Sequence, residues 1–528
     1  MHILGVFVSL PKAGVTIPLG VFVSLPKASV TIPGGIASTI CRCCFMKINL
    51  PLFQLLKKIQ RILEEYHTEG YLVGGSLRDI LLNKTPSDID ILVTKNGRKI
   101  VTALAEKLKA PSFPLKEKFK IYRIVHSNFT LDLSQLTESS VEKNLGQRDF
   151  TLNSIAYPLV HLSPVLLVNR LIDPFQGMHA IKDKVIQHTS DTIFADDPVR
   201  LLRAFRLQLQ LRCSIHPATL TLLSHNAHLI THSAAERIMA EFIKIISCKN
   251  SCNTIRQIDS TNLLEAILPE INESKGCIQL GYHDFDVWEH SLLSYSKLEI
   301  LFNSLKEMFP QQLTQLQKYL NTPLSGTINK KTALKFACLL HDIGKPQTRT
   351  LHKDGKRYSF INHQKNGAEM ARIICKRIKL DNKSTAFISF VIEHHLICGH
   401  YYSHSLITPR YLNRLFLKYE QDTIALGFVF FADLLSQKSF TDPCPSLAFL
   451  AHLLHHYYHE FKRAKRLKLL LDGNDIMKKY HLAPGPRIGK ILSVIQEAQI
   501  NGLVKTKRDC YKLIELKFPQ LDDRISSH

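Results

Sequence analysis

Two kinds of feature are missing from this sequence of 528 residues. It contains no run of about 20 apolar residues, the length that a helix needs to cross a bilayer. Its 12 cysteines are scattered, with neither an even disulfide framework nor pairs at metal-binding spacing. These absences argue against a membrane-spanning protein and a disulfide-stabilised scaffold, and we expect the protein in the reducing cytoplasm.

Acidic residues are scarce relative to basic ones: 45 Asp and Glu stand against 68 Lys and Arg, a net charge of +23. A surplus of this size fits a polyanionic partner, because each phosphate that a cation neutralises releases a counterion. A membrane surface is the competing partner. Since 45% of the residues are apolar, the chain can bury several cores, and its length predicts three or four domains.

The N-terminus carries a tandem repeat of 15 residues, in which Leu4–Pro18 recurs as Leu19–Pro33 with Ser29 in place of Gly14. Two copies are too few for a solenoid. Prolines interrupt the apolar stretch, which is not typical of a signal peptide. We therefore expect residues 1–45 to be a non-native leader, with the fold beginning near residue 46.

The most informative segment is the stretch YLVGGSLRD at residues 71–79. It predicts a short apolar strand that turns through Gly74 and Gly75 into a helix carrying Arg78. Backbone N–H groups at a helix start bind anions, and glycine lets a ligand approach them closely. The segment therefore predicts a phosphate-binding turn, in which we expect Gly75 and Arg78 to hold a nucleoside triphosphate.

Two carboxylates follow in the stretch SDIDILV, at Asp88 and Asp90. In a β-strand, side chains two residues apart leave on the same face. Two such carboxylates repel unless a cation lies between them, and oxygen ligands suit Mg²⁺ bound jointly with phosphates. Asp132, in the stretch FTLDLS, is a candidate third carboxylate that would take the proton of an attacking hydroxyl; an ordinary solvent-side aspartate is the alternative. Together these segments predict nucleotidyl transfer.

In this order the segments resemble the signature of the tRNA nucleotidyltransferase and bacterial poly(A) polymerase family. The stretch RDFTLN at residues 148–153 resembles a further element of that family, which implies that Arg148 contacts the bound nucleotide. The stretch FADDPVRLLRAFR at residues 194–206 resembles its Glu-Asp-x-x-Arg element, with Asp196 in place of the usual Glu. The sequence also has Gln147 where a second arginine is common, so the departures concern specificity.

The second of these stretches predicts a protein template for a base. Asp197 and Arg200 are three residues apart on a predicted helix and would share a face. The carboxylate accepts and the guanidinium donates, so the pair can bond the amino group and ring nitrogen of cytosine or adenine. Arg203 and Arg206 continue the face, and we expect them to reach the triphosphate. A surface helix with Asp–Arg ion pairs is the alternative.

The C-terminal half contains a second constellation, composed of His290, His341, Asp342 and Asp433. Imidazole and carboxylate ligands suit transition metals and some Mg²⁺ sites, although a satisfied core histidine is the alternative. With Gly-Lys-Pro after the His-Asp pair, the pattern resembles the HD superfamily of metal phosphohydrolases. The resemblance implies that these four residues bind a metal. It also matches His363, together with His394 or His395, to extra ligands seen in some members.

We expect an α/β nucleotidyltransferase palm with a small mixed sheet, followed by an all-α neck, an all-α HD domain and an α-helical tail. The tail is basic at residues 461–468, for which a solvated helix face is the alternative, and has a turn at 484–490 that exposes backbone amides before a helix. Together they resemble the C-terminal RNA-contacting module of the same family, which implies tRNA binding. Four histidines spaced between residues 452 and 459 are interpreted as a polar helix face. The predicted ranges are 46–190 for the head, 191–275 for the neck, 276–440 for the HD-like domain and 441–528 for the tail.

The resemblance implies a template-independent RNA nucleotidyltransferase that adds CCA to tRNA 3′ ends from CTP and ATP, with Mg²⁺ in the head and a transition metal in the HD domain. A poly(A) polymerase is the first alternative, because its head carries the same blocks. An HD-type metal phosphohydrolase with an RNA-binding head is the second. A non-enzymatic RNA-binding protein fits least, because basic charge alone does not call for these carboxylates.

Overall fold

The structure is a computed structural model, and it describes residues 45–116, 120–279, 285–326, 328–353, 355–403, 408–437 and 442–521. The predicted leader lies outside the described residues except for Phe45. Strand β1 (Phe45–Lys47) begins the described chain and pairs antiparallel with β8 (Val165–Leu167).

A six-stranded mixed sheet forms the centre of the head, as the sequence predicts. Its strand order is β4-β5-β6-β3-β2-β7, in which only β3 and β6 run parallel. The strands are β2 (Gly70–Val73), β3 (Asp88–Val93), β4 (Ser112–Lys116), β5 (Ile121–His126), β6 (Phe129–Gln135) and β7 (Ala156–Pro158). The head helices are α1 (Leu50–Glu65), α2 (Gly74–Leu81), α3 (Gly97–Leu108), α4 (Val141–Gly146) and α5 (Gly177–Asp183).

The alternation of β3 decides which face of the sheet carries the carboxylates. Ile89 and Ile91 are buried in the core that α1 and α3 share with the sheet. Because side chains alternate along a strand, Asp88 and Asp90 leave on the opposite face. Burial of the isoleucines therefore fixes the orientation of the acidic pair.

Helices make up the neck, the HD domain and the tail. The neck contains α6 (Ile193–Asp196), α7 (Arg200–Leu211), α8 (Pro217–His225), α9 (Ala235–Ser247), α10 (Cys252–Ser260) and α11 (Leu263–Ile267), with a short parallel pair of β9 (Val185–Ile186) and β10 (Ser214–Ile215) beside it. The HD domain contains α12 (Val287–Asn303), α13 (Leu305–Met308), α14 (Leu313–Leu320), α15 (Lys330–Leu340), α16 (Lys345–Thr348), α17 (His363–Arg377), α18 (Asn382–His394), α19 (Ile397–Ser403), α20 (Pro409–Tyr419) and α21 (Thr423–Leu434), with a hairpin of β11 (Arg349–Leu351) and β12 (Tyr358–Phe360). The tail contains α22 (Cys444–His455), α23 (Lys462–Lys465), α24 (Gly473–Tyr480), α25 (Pro486–Ile500) and α26 (Lys507–Lys517).

One continuous hydrophobic core joins the neck to the HD domain, and it includes an edge-to-face contact between Phe242 and Phe336. A buried ion pair between two HD helices lies at the same junction, where the Lys335 ammonium is 2.7 Å from the Glu299 carboxylate. Lys335 also donates to the backbone carbonyls of Ile246 and Cys248, at the end of α9. The two domains are therefore packed as one body at this junction.

The tail has a small core of its own, which includes Ile476, Ile491 and Ile514. The turn predicted at residues 484–490 is shorter than expected, because α25 begins at Pro486 and only residues 484 and 485 precede it. The interpretation of the histidine cluster as one polar face is wrong for His456, which is buried and bonds the Asn413 side chain at 2.7 Å. None of the helices in the described part of the chain has the length and apolar character of a membrane span.

Candidate active site and metal centre

The turn between β2 and α2 requires glycine at position 74. Gly74 has a φ of +68°, and a Cβ there would lie 2.7 Å from Nη1 of Arg148 and 2.9 Å from Oδ2 of Asp90. The turn is also bonded to β3, because the Asp90 N–H donates to the Ser76 hydroxyl at 3.1 Å. The Ser76 N–H in turn faces Oδ2 of Asp90 at 3.4 Å. Helix start and acidic strand are therefore locked together, as the sequence predicts.

The three predicted carboxylates lie on neighbouring parallel strands, and Asp132 is the direct partner of Asp90 in the β3–β6 register. Asp88 is exposed at the start of β3, whereas Asp90 is largely buried. Burial raises the pKa of Asp90, Arg148 opposes this effect and Asp132 adds to it. A buried carboxylate that faces another one is stabilised by a cation, so Asp88 and Asp90 fit a divalent metal.

Asp132 has a partner that the sequence analysis did not single out. Arg123, on β5, donates from Nε to Oδ1 and from Nη2 to Oδ2 of Asp132, both at 2.7 Å. Arg123 and Asp132 face each other across a hairpin that turns at residues 127–128, so counting back from the turn would have found the pair. As a proton acceptor, Asp132 would have to displace or share this guanidinium.

Arg78 lies differently from the expected position at the triphosphate. Its Nη1 donates to Asn153 at 2.7 Å, and its Nε and Nη2 both donate to Asp79. Its side chain is only 11% exposed. Arg78 therefore joins α2 to the turn at residues 151–153, because its donors are turned into the protein.

Most of the predicted nucleotide ligands line one pocket of about 360 Å³ between the glycine turn and the start of α7. Arg148 is buried in its wall, and burial lowers the pKa of that guanidinium. Arg203 lies with Nε 2.7 Å from Oδ2 of Asp149. The predicted residues in this wall are Gly74, Gly75, Asp90, Arg148, Asp197, Arg200 and Arg203, and they are joined by Gln147, Asp149 and Asn153. Acidic and basic groups thus surround one cavity of nucleotide size.

The prediction that Asp197 shares a helix face with Arg200 is wrong in its geometry. Asp197 has extended backbone (φ −151°, ψ 95°), and α7 begins only at Arg200. The physical reason is Pro198, because a residue that precedes proline is excluded from the helical region. The two side chains nevertheless line the same pocket, since the extended residue folds back beside the helix start.

Each member of this pair is held by a separate partner. Nη2 of Arg200 donates to the backbone carbonyl of Gln147 at 2.8 Å. Oδ2 of Asp197 accepts from Nη2 of Arg237 at 2.7 Å. Arg237 lies on α9, forty residues along the chain from Asp197. An acceptor and a donor are therefore presented to the pocket independently.

Arg206 does not join the described residues that line this pocket. Its guanidinium pairs with Glu241 on α9 and donates to Gln210 at 2.7 Å. Its side chain is 15% exposed. The three-residue step from Arg203 turns Arg206 toward α9, so its expected contact with the triphosphate has no geometric support here.

The second predicted constellation forms a compact buried centre. Nε2 of His290 lies 2.9 Å from Oδ1 of Asp433 and 3.5 Å from Oδ2 of Asp342. Nε2 of His341 lies 3.3 Å from Oδ2 of Asp342 and 3.7 Å from Oδ1 of Asp433. All four residues therefore converge as predicted, although they come from three separate helical segments.

The extra histidines meet the same centre on the other oxygen of Asp342. Nε2 of His363 and of His395 lie 3.5 Å and 3.8 Å from Oδ1 of Asp342. His395 is thus the second extra ligand, whereas His394 stacks on Phe390 outside this cluster. The ligand atoms form two groups that share Asp342, one with His290 and His341 and one with His363 and His395.

The donor set fits metal ions. His341, His363 and His395 each place Nδ1 at 2.7–2.8 Å from a backbone carbonyl, which orients Nε2 toward the centre. Burial, with His341 nearby, lowers the pKa of His395 to about 3, so its imidazole is neutral, which is the form that binds metals. Nε2 of His341 and Oδ1 of Asp342 are buried without a hydrogen-bond partner among the described residues. Metal coordination would satisfy them.

Family models match three successive parts of the chain. They are described as "Poly A polymerase head domain" over residues 70–137 and 118–187, as "Probable RNA and SrmB- binding site of polymerase A" over residues 213–275, and as "HD domain" over residues 287–438. The chain belongs to the tRNA nucleotidyltransferase and poly(A) polymerase family and carries an HD domain. It is therefore a nucleotidyltransferase.

Characterised family members resemble nearly the whole described chain. The A-adding tRNA nucleotidyltransferase of Deinococcus radiodurans is 26% identical over 458 residues, which cover 84% of this chain and 94% of that protein. The CC-adding tRNA nucleotidyltransferase of Thermus thermophilus is 24% identical over 462 residues, covering 84% and 92%. The similarity thus spans the head, the neck, the HD domain and part of the tail.

Solved structures show the same fold. The CCA-adding enzyme of Thermotoga maritima, solved with tRNA, has a TM-score of 0.61 and 18% identity, covering 90% of this chain and 99% of its own. A CCA-adding enzyme solved with ATP has a TM-score of 0.60 at the same identity, covering 90% and 99%. This family member therefore shares the full architecture of CCA-adding enzymes.

Proposed function

We propose that this nucleotidyltransferase adds CCA to the 3′ ends of tRNA, using CTP and ATP with Mg²⁺ in the cytoplasm. The observation that carries the proposal is one pocket in which Asp197 and Arg200 lie with Asp90 and the Gly74 turn. Base-reading and metal-binding groups in one cavity suit a polymerase that selects nucleotides without a nucleic-acid template. Similar CCA-adding enzymes solved with tRNA, ATP and CTP, and relatives that are A-adding and CC-adding tRNA nucleotidyltransferases, support the same substrates.

In this mechanism the head orients the nucleoside triphosphate for in-line attack by the tRNA 3′ hydroxyl on the α-phosphate. Asp88 and Asp90 would hold Mg²⁺, which neutralises charge on the attacking and leaving oxygens. The amides of the Gly74 turn offer donors to phosphate oxygens, and Arg148 adds a fixed positive charge. The wall of the pocket thus supplies the groups needed to bind and align a triphosphate.

Base selection follows from the two kinds of hydrogen-bonding group. Cytosine and adenine each present an amino donor beside a ring-nitrogen acceptor, which Asp197 and Arg200 can satisfy. Uracil and guanine present a carbonyl and an N–H there, so acceptor would face acceptor and donor would face donor. Each unpaired buried group costs about 1–3 kcal/mol, which is sufficient for roughly tenfold to hundredfold discrimination.

The decisive experiment gives purified protein three RNA substrates: a tRNA that lacks CCA, a tRNA that ends in CC and an unrelated RNA. Addition of two C residues from CTP alone and one A from ATP to the second substrate supports CCA addition. Activity restricted to one of these steps would replace the proposal with CC addition or A addition. Long tails from ATP alone on any RNA would identify a poly(A) polymerase instead.

We propose a metal-dependent phosphohydrolase as a second activity of the same chain. The observation that favours it is the buried centre around Asp342, whose six ligands have no part in the nucleotide pocket. Hydrolysis of a 2′,3′-cyclic phosphate by protein loaded with a transition metal, lost in an Asp342→Ala variant, would support this activity. No hydrolysis by the metal-loaded wild type would leave the centre with a structural role.

A further inference from the structure

Arg237 occupies an unusual position for an arginine. It lies in the first turn of α9 (Ala235–Ser247), where the positive end of the helix dipole disfavours a cation. Its Nη2 donates to Oδ2 of Asp197 at 2.7 Å, and the two side chains are 48% and 28% exposed. The ion pair therefore offsets an unfavourable helix position, and its other member is Asp197, the acceptor of the base-reading pair.

Asp197 depends on this contact for its orientation. Its backbone is extended, and it lies between the end of α6 and the start of α7 at Arg200. Oδ2 is taken by Arg237, whereas Oδ1 has only a 3.4 Å contact from the N–H of Val199. One oxygen is fixed, and the other remains able to accept from an amino group.

We propose that Arg237 is a positioning residue for base selection, which fixes the Asp197 carboxylate so that Oδ1 accepts from the amino group of cytosine or adenine. The inference rests on the proposed function. Arg200 has its own anchor at the Gln147 carbonyl, so Arg237 acts on the acceptor alone.

A purely structural role makes a different prediction, and the chain offers a matched control for it. The pair of Arg206 with Glu241 also joins the α7 segment to α9 but does not touch Asp197. Replacement of Glu241 by Gln breaks that junction without altering the base-reading pair. If Arg237 merely fastened α9, both variants would slow all nucleotides by a common factor.

The experiment measures kcat/KM for CTP and UTP on a tRNA that lacks CCA, with wild type, Arg237→Ala, Arg237→Lys and Glu241→Gln. We expect Arg237→Ala to lower the CTP-over-UTP preference about tenfold. Arg237→Lys, which keeps the cation and one donor, should recover part of that preference. Glu241→Gln should keep the wild-type ratio. Circular dichroism verifies that each variant is folded. If Arg237→Ala is unstable, the CTP-over-UTP ratio of Arg237→Lys is compared with that of wild type instead.

A double-mutant cycle with Asp197→Asn shows whether Arg237 acts through the carboxylate. We expect Arg237→Ala to cause no further loss of selectivity in that background. An unchanged CTP-over-UTP ratio in Arg237→Ala, or additive losses in the double variant, would overturn the inference while wild-type incorporation upholds the proposed function. Absence of incorporation by wild type would instead overturn the proposed function, and the inference with it.

Discussion

The guanidinium of Arg123 donates two parallel hydrogen bonds to the carboxylate of Asp132, each 2.7 Å long. This is the bidentate geometry in which arginine binds a carboxylate most firmly. Asp132 is also the strand partner of Asp90. Arg123 therefore neutralises one of the negative charges in the acidic cluster. The third carboxylate is therefore bound by the protein itself before any substrate arrives.

This pairing separates the expected roles of the three carboxylates. We expect Asp88→Asn and Asp90→Asn to lower nucleotide incorporation by at least about a hundredfold, because each removes a charged metal ligand. Asp132→Asn should lower incorporation only about tenfold, because Arg123 already occupies both carboxylate oxygens and leaves neither free to accept a proton. A residue that acted as general base would be worth about 10²–10⁴. Single-turnover rates with saturating CTP would measure this. A loss in Asp132→Asn as large as that in Asp90→Asn would assign Asp132 the proton-accepting role.

The glycine turn offers a pair of neighbouring substitutions with unequal outcomes. Gly74→Ala places a methyl group against Arg148 and Asp90 and holds alanine at positive φ, which costs about 1–2 kcal/mol by itself. Gly75→Ala meets no atom closer than 3.5 Å. We expect Gly74→Ala to abolish incorporation and Gly75→Ala to retain more activity, at equal expression. Comparable losses in both variants would show that the methyl clash is not the cause.

Arg200 and Arg203 should affect different kinetic properties. Arg200→Ala removes a base-reading donor, so we expect lower preference for C and A over U and G as well as a lower rate. Arg203→Ala should slow all four nucleotides alike, because its partner in the structure is Asp149. Steady-state kinetics with each nucleotide would compare them. Unchanged base preference in the Arg200 variant would remove that residue from the template.

The HD centre predicts a metal stoichiometry that depends on which ligand is removed. Two groups share Asp342, so we expect Asp342→Ala to lose both ions and His395→Ala to lose about one of two. His394→Ala is the matched control, because its ring stacks on Phe390 rather than facing the centre. Elemental analysis of purified protein would measure the content. Equal losses in the two histidine variants would contradict the assignment.

The ion pair of Glu241 predicts a pH dependence of stability. Burial acts to raise the pKa of Glu241, but Arg206 and Lys244 outweigh it, and the net pKa is lowered. A carboxylate with a lowered folded-state pKa contributes stability above its unfolded value, near 4.3, and loses it as the pH falls further. The melting temperature of wild type should exceed that of Glu241→Gln at pH 7, and the gap should close below about pH 4. A gap that persists at pH 3 would contradict this origin.

The sequence was sufficient to predict most of the residues that line the pocket, but not that Arg78 and Arg206 lie outside its lining, nor how the others are presented. Gly74 and Asp90 could be placed because strand alternation and the glycine turn are local rules. The extended backbone of Asp197 was also predictable from Pro198, yet helical spacing to Arg200 suggested one continuous face. The partner of Arg237 was not predictable, because its contact with Asp197 depends on how α9 packs against the segment that precedes α7.

Because Lys335 and Glu299 form a buried junction, removal of the HD metal ligands and removal of the whole HD domain should have different effects on nucleotide addition. Lys335 ties the end of α9, the helix of Arg237, to the HD helices. A variant could lose its metal ligands and keep this junction, so nucleotide addition would survive. A fragment that ends at residue 275 would lose Lys335, which would leave the carbonyls of Ile246 and Cys248 without this donor. It would also expose the neck side of the shared hydrophobic core. The HD helices thus support the end of α9, the helix that carries Arg237, independently of any metal chemistry.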